Sequence, residues 1–317
     1  MISALHVLKE FDPGQLYRFF VDGRFYATEH GWEGYESRQP GCISGMSMAY
    51  AHMLKNFELP NGLTLEYISK LHDLVFYHID KKLRRNRYPG EIREFRISFM
   101  VRPRATTLDG LRELMGDRSL NEAFKGRING CETVDDLYRA IQNRKHIRYI
   151  AQVGYLPPEL DKASREREPI DLYLKARVQA QRNITEQVSQ EIDHFNTTIH
   201  TLPDEHKLVF IVDSIKRLER LHPFVDGNTR VFITLLLNHL LMLYGFYPVI
   251  FEEPSIFDAF TTEEIMEEVL LGQGIVKELL HDPTSRVFGH SILDETSDNI
   301  SNIKALMSDM IAVIKAL

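Results

Sequence analysis

The sequence predicts a mainly α-helical fold that carries one small β element. Three observations predict it. Apolar residues recur at steps of three and four over several long stretches, and one short segment alternates instead. A third stretch is apolar on nearly every face, which marks a helix buried in the middle of a core.

The elements follow in chain order. Residues 65–83 set Ile68, Leu71, Leu74, Val75 and Ile79 on one helical face, after an Asn61-Gly62 turn. Over residues 95–102, Phe95, Ile97, Phe99 and Val101 face one way and Arg96, Ser98, Met100 and Arg102 the other. That alternation predicts a half-buried strand, one arm of a hairpin beginning near Pro89-Gly90. Residues 106–167 read as an inserted subdomain, with short helical patterns at 108–115 and 134–141 and a charged loop at 164–169. Ile184, Val188, Ile192, Phe195 and Ile199 form a further helical stripe. Leu208, Ile211, Val212, Ile215 and Leu218 form the next, entered past Pro203, with Thr201 placed to cap against Asp204. The all-apolar helix, residues 231–243, opens at Asn228 as N-cap and closes at Gly245. A last helix spans residues 300–314. The expected organisation is an N-terminal helical region (1–64), a main domain (65–280) with the insertion at 106–167, and a C-terminal helical segment (281–317).

Composition excludes several classes. The chain of 317 residues carries a formal charge of -7, which argues against a dedicated nucleic-acid binder. The basic run Lys81, Lys82, Arg84, Arg85 and Arg87 reads as a solvated helix end. Two cysteines, Cys42 and Cys131, build neither a disulfide scaffold nor a zinc site. His194, His200 and His206 fall on different helical faces, and no His-Glu-x-x-His pattern occurs. Lys9, Glu10 and Asp12 interrupt any secretory signal, and residues 231–243 are too few to span a bilayer. A soluble protein without a transmembrane segment is expected.

The chemistry concentrates in His222-Pro223-Phe224-Val225-Asp226-Gly227-Asn228-Thr229-Arg230. Here one helix ends, a short loop follows, and the buried helix begins. The free N–H groups and positive dipole end of that helix face the loop, a ready site for an anion. Gly227 allows close backbone approach, and Arg230 adds a forked, permanently charged clamp. His222 is placed to accept a proton at neutral pH, and Asp226 offers a hard oxygen ligand for Mg²⁺.

This stretch resembles the signature of the Fic/Doc family, H-P-F-x-[D/E]-G-N-G-R-x-x-R. The resemblance implies a Fic-like helical domain whose β-hairpin flap (Phe95, Ile97, Phe99 and Val101) docks the target segment. It implies transfer of a nucleotide-derived phosphate group, AMP or phosphocholine foremost, onto a Ser, Thr or Tyr hydroxyl of a target protein. His222 would be the general base and Phe224 a core anchor. Asp226 would bind Mg²⁺, Gly227, Asn228 and Thr229 would line the anion hole, and Arg230 would clamp a phosphate of the donor, ATP or CDP-choline. Location would be cytoplasmic, or in a host cell after delivery as a bacterial effector. Two other readings use the same residues: a non-catalytic nucleotide- or partner-binding protein, and a hydrolase that removes such a modification.

Two positions depart from the pattern. Thr229 stands where Gly is usual, a position at which the Doc branch carries Lys. Ile233 replaces the second Arg, which in AMP-transferring members holds the terminal phosphate of ATP and pairs with an inhibitory Glu. The family's inhibitory motif, [S/T]-x-x-x-E-[G/N], has no convincing counterpart; Glu33-Gly34 comes nearest. Both losses together favour a donor that lacks a γ-phosphate, such as CDP-choline, or regulation by other means.

Overall fold

The computed structural model of the protein describes residues 4–26, 31–83, 88–116, 120, 124–125, 130–145, 147–285, 287–288 and 297–317. The N-terminal helices are α1 (Ala4–Glu10), α2 (Gly31–Arg38), α3 (Cys42–Lys55) and α4 (Leu65–Val75). Then come β1 (Ile97–Met100), α5 (Leu108–Met115), β2 (Phe124–Lys125), α6 (Val134–Gln142) and β3 (Arg148–Ala151). Helices α7 (Pro158–Glu166), α8 (Ile170–Thr198) and α9 (Asp204–Leu221) lead to a π-wound stretch, Arg230–Leu237, that runs directly into α10 (Asn238–Leu243). The chain ends with α11 (Ile256–Ala259), α12 (Thr262–His281), α13 (Ser297–Leu306) and α14 (Ser308–Ala316). The class is the expected one, mainly helical with a small antiparallel sheet. Among the described residues, no helix is long and apolar enough to cross a membrane.

Residues 231–242 are buried without interruption, so the apolar run forms the centre of the main core. Helices α3, α4 and α9 pack against it, α8 packs on α9, and α14 on α3. The winding differs from a plain α-helix for a local reason. The Thr234 carbonyl accepts hydrogen bonds from the Tyr50 hydroxyl (3.1 Å) and from Asn238 Nδ2 (3.1 Å), side-chain donors that intrude on the helical ladder. Asn238 also reaches the Val249 carbonyl and takes the Val249 N–H (2.6 Å), tying the outgoing chain to the core.

Several boundaries move. Helix α4, capped by Thr64, ends at Val75, and Ile79 is buried from a turn. Helix α3 presses on this turn so closely that a Cβ on Gly41 would lie 2.2 Å from the His78 carbonyl oxygen. Residues 164–166 belong to α7, where Asp161 pairs with Arg165 one turn on, and are not loop. The residue at the α9 N-cap is Pro203; the Thr201 hydroxyl donates to the Thr198 carbonyl instead of capping. The final helix is two, because Ser47 Oγ accepts the Met310 N–H at the start of α14. Lys81 and Lys82 lie in an exposed turn; Arg84, Arg85 and Arg87 fall outside the described residues.

The β element is wider than a hairpin. Strand order is β1-β3-β2, all antiparallel, with Ile97 opposite Ala151 and Phe99 opposite Tyr149. The chain before β1 does not pair with β1, because Arg93 is bound elsewhere: its N–H donates to the Pro223 carbonyl (2.9 Å). Val101, Leu111, Phe124, Leu137, Ile141 and Tyr149 build a second, smaller core that Ala259 of the main body joins. Gly110 permits that junction, since a Cβ there would lie 2.1 Å from the Ala259 carbonyl oxygen. Glu113 fastens it further by accepting from buried Lys216 (2.7 Å) and from Arg220 (2.7 Å) on α9.

The Asn238 amide satisfies the Thr234 and Val249 main chain at full burial, so its loss strands several polar groups at once. Asn238→Ala is expected to lower stability by ~2–4 kcal/mol in a urea titration. A change under ~0.5 kcal/mol would mean that the network is not holding the core.

Candidate active site

The site forms where α9 stops. His222 takes a left-handed conformation (φ 44) at the end of α9, and its own N–H closes the last turn on the Glu219 carbonyl (2.8 Å). His222 Nδ1 contacts that same carbonyl, which assigns the ring proton to Nδ1 and leaves the Nε2 lone pair free to act as a base. Burial pushes His222 down to about 3, with the Arg93 charge adding to the effect and the Glu219 carbonyl opposing it, so the ring is neutral at physiological pH. Phe99 of β1 stacks on the imidazole with ring centroids 3.9 Å apart. Of the four residues expected on the flap, Phe99 is the one that stacks on His222. Val101 is in the second core, Ile97 is half-buried, and Phe95 is largely exposed and lines a different cavity.

The motif loop is held by its own side chains. Asn228 Oδ1 accepts the Phe224 N–H (3.0 Å) and Nδ2 donates to the Phe224 carbonyl (2.9 Å), so Asn228 braces the loop and does not cap the helix. Phe224 is fully buried and stacks on His72 at 3.9 Å. His72 accepts the Gly90 N–H at Nδ1 (2.7 Å) and therefore donates from Nε2 to the Asp226 carbonyl (2.9 Å). Gly227 has φ +79, and a Cβ there would lie 2.6 Å from the Phe76 ring, so both backbone and space require glycine.

Arg230 lies with its guanidinium 4.8 Å from the Phe76 ring centroid, donates to Cys42 Sγ (3.2 Å) and stands 3.9 Å from Asp226. Thr229 departs from the family pattern with a visible consequence: its hydroxyl donates to Glu219 Oε1 (3.0 Å). Ile233 is fully buried and offers the site nothing polar.

Residues 226–230 line a cavity of about 350 Å³. Its remaining wall brings in Arg24, Arg38 and Arg102, cations from the N-terminal region and the end of the strand that sequence reading did not find. Arg24 and Arg102 share Glu253, and Arg38 lies over Phe25. Asp226 suits Mg²⁺: it faces this cavity, about 29% exposed, with one oxygen on the Gly227 N–H and lone pairs to spare for a cation that also takes phosphate oxygens and water.

Two further carboxylates stand beside His222. Glu219, His222 and Asp258 are all buried, with ligand atoms within 4.8 Å of one another, and Asp258 Oδ1 is 4.0 Å from His222 Nε2. Glu219 Oε2 and Asp258 Oδ1 have no hydrogen-bond partner. Burial raises both acids. Glu219 is pushed up further by the neighbouring Asp258 charge, and Asp258, raised toward about 7, is held back by Arg220 and Arg102. Glu219 lies three residues before His222, one helical turn back on α9, which is a legible signal. Asp258 arrives from a segment with no motif of its own.

Residues 132–241 match the Fic/DOC family, so the chain carries a Fic/DOC domain that contains this loop. Over 330 aligned residues the chain is 28% identical to the phosphocholine transferase AnkX of Legionella pneumophila subsp. pneumophila. The alignment covers 93% of this chain and 32% of AnkX, so the chain spans about a third of its relative's length.

Asp258 sets a pH dependence. The folded state holds its proton up to about 7 while the unfolded chain releases it near 3.8. The folded state thus binds the proton more tightly, and the stability this confers is complete below ~4 and lost as pH rises through ~7. Asp258→Asn should match the wild type near pH 4 and exceed it by ~1 kcal/mol or more at pH 8 in chemical denaturation. The opposite order would mean that Asp258 is ionised and stabilising in the fold.

Proposed function

We propose that the protein transfers phosphocholine from CDP-choline to a Ser, Thr or Tyr hydroxyl of a target protein. The observation that carries this reading is the pair of buried, unsatisfied carboxylates, Glu219 and Asp258, beside the base His222. An acidic, water-poor spot of that kind suits a cation that needs no hydrogen bonds, and a quaternary ammonium is one. Glu219 also contacts the anion-binding loop, through Thr229, which would bring the donor's choline and diphosphate ends to neighbouring places.

The steps follow from the named groups. His222 Nε2 takes the proton from the target hydroxyl as its oxygen forms a bond to the choline-bearing phosphorus. The bond from that phosphorus to the bridging oxygen breaks, and CMP leaves with the electron pair. Arg230 and the N–H groups at the start of the buried helix take up the charge that develops on the departing phosphate. Bound at Asp226, Mg²⁺ would supply neutralisation of the diphosphate. Glu219 and Asp258 orient the choline end, and Thr229 holds Glu219 in place. Ile233 removes a contact that only a third phosphate would use.

A second reading, AMP transfer from ATP, is favoured by one observation: Arg24, Arg38 and Arg102 on the cavity wall could hold a terminal phosphate in place of the missing second Arg. The substrate side would be a host protein if the chain acts as an effector, a setting supported by its likeness to a Legionella protein.

Intact-mass spectrometry of lysate fractions with CDP-choline or with ATP separates the donors. A mass addition with CDP-choline, reduced ~10²-fold or more in His222→Ala, is expected. Addition from ATP alone would replace the first reading with the second. No addition from any donor, with nucleotide still bound, would leave a binding protein or a hydrolase. Asp258→Asn and Glu219→Gln should weaken CDP-choline binding at least tenfold while leaving CDP binding within twofold in calorimetry. Equal losses for both ligands would remove choline recognition from these carboxylates.

A further inference from the structure

A second cavity, of about 340 Å³, lies beside the sheet and shares no lining residue with the motif cavity. Its walls come from the chain entering β1, the chain leaving β3, the end of α7 and the first turns of α8. Four arginines line it, Arg96, Arg165, Arg167 and Arg177. Their acidic partners are two: Asp161 takes Arg96 and Arg165, and Glu94 takes Arg177. Four positive charges against two negative leave a local excess of two, in a chain whose formal charge is -7. Arg167, held in a left-handed conformation at the end of α7, makes no ion pair with any described residue.

The ordinary account of such a cluster is a solvated network of ion pairs. Two atoms disagree with it. The Nε–H groups of Arg96 and Arg177 are buried and have no hydrogen-bond partner among the described residues. Each such donor, cut off from water, costs ~1–3 kcal/mol until an acceptor reaches it. Apart from Glu94 and Ser164, the rest of the wall is apolar or aromatic: Val153, Leu156, Ala176 and Ala180, with the Tyr173 and Phe95 rings. The volume is that of a small-molecule site.

We propose that this cavity is a second ligand site, which takes a small phosphate monoester carried on an aromatic or apolar body. A phosphate monoester brings ~1.5–2 negative charges at neutral pH and three acceptor oxygens. That matches the excess of two charges and the two stranded donors, where a monocarboxylate brings a single charge. Planar guanidinium forks bind such groups through paired N–H bonds, and the rings and aliphatic wall cover the organic part. Apart from Phe95 of the expected flap, the site uses none of the residues assigned to transfer, so it stands whether or not the transferase reading does.

Phenyl phosphate is the probe, measured by calorimetry on the full chain with phenol as the uncharged control. Because the Arg230 loop also attracts phosphate, the measurement is made on Arg230→Ala as well as on the wild type. Saturable binding of phenyl phosphate, and not of phenol, is expected to persist in Arg230→Ala. Arg167→Gln, at a position without an ion pair, should weaken that binding at least tenfold with an unchanged melting temperature, and Arg177→Lys should weaken it similarly. Loss of all binding in Arg230→Ala, or unchanged affinity in both Arg167→Gln and Arg177→Lys, would overturn the proposal.

Discussion

The arrangement depends on one buried guanidinium. Arg93 donates to the main-chain carbonyls of His222 (2.5 Å), Leu221 (3.0 Å), Phe95 (2.5 Å) and Gln152 (2.6 Å), with no carboxylate opposite it. Two of those carbonyls belong to the end of α9 and the catalytic loop, and two to the chain around the sheet. One side chain therefore sets the distance between strand and loop, and with it the placement of Phe99 on His222. Burial lowers Arg93 to about 9, so it is still charged at neutral pH. A fork with five N–H groups can satisfy carbonyls at the end of a helix that no lysine ammonium could reach together.

That positive charge also acts on its neighbours. It helps keep His222 neutral, which a base requires, while burial lets the neighbouring Glu219 and Asp258 hold protons far above the usual carboxylate range. The second core contributes here. Its contacts through Thr107 and Gly110 land on Ala259, the residue after Asp258, and Glu113 ties down Arg220, whose guanidinium donates to the Asp258 carbonyl. The second core thus fixes a carboxylate beside the base as well as supporting the sheet.

Much of this was legible in the chain. The stripes over α8 and α9 and the apolar run ended by Gly245 follow from helical period and a left-handed stop, and each is where the spacing places it. The loop from His222 to Arg230 is local, so its residue types announce its shape. Other features were not legible because they join distant segments. The partner of β1 is β3, with a small core folded between them, and nothing near Pro89-Gly90 could indicate it. The π-winding of residues 230–237 depends on Tyr50, far away in sequence. Thr229 lines the motif cavity, and its hydroxyl is also bound to Glu219, a partner visible only once α9 and the loop are folded together.

By itself the sequence determined the helical class and the buried central helix, and it set the residue types expected of a base, an anion nest and a cationic clamp on one loop, because each of these is set by residues within a few turns of one another. The tertiary structure alone decided what surrounds the base. Arg93, Asp258, Phe99 and His72 reach the loop from four separate segments. Burial, which sequence spacing does not report, decides that the imidazole is neutral and that both acids hold their protons above the usual carboxylate range.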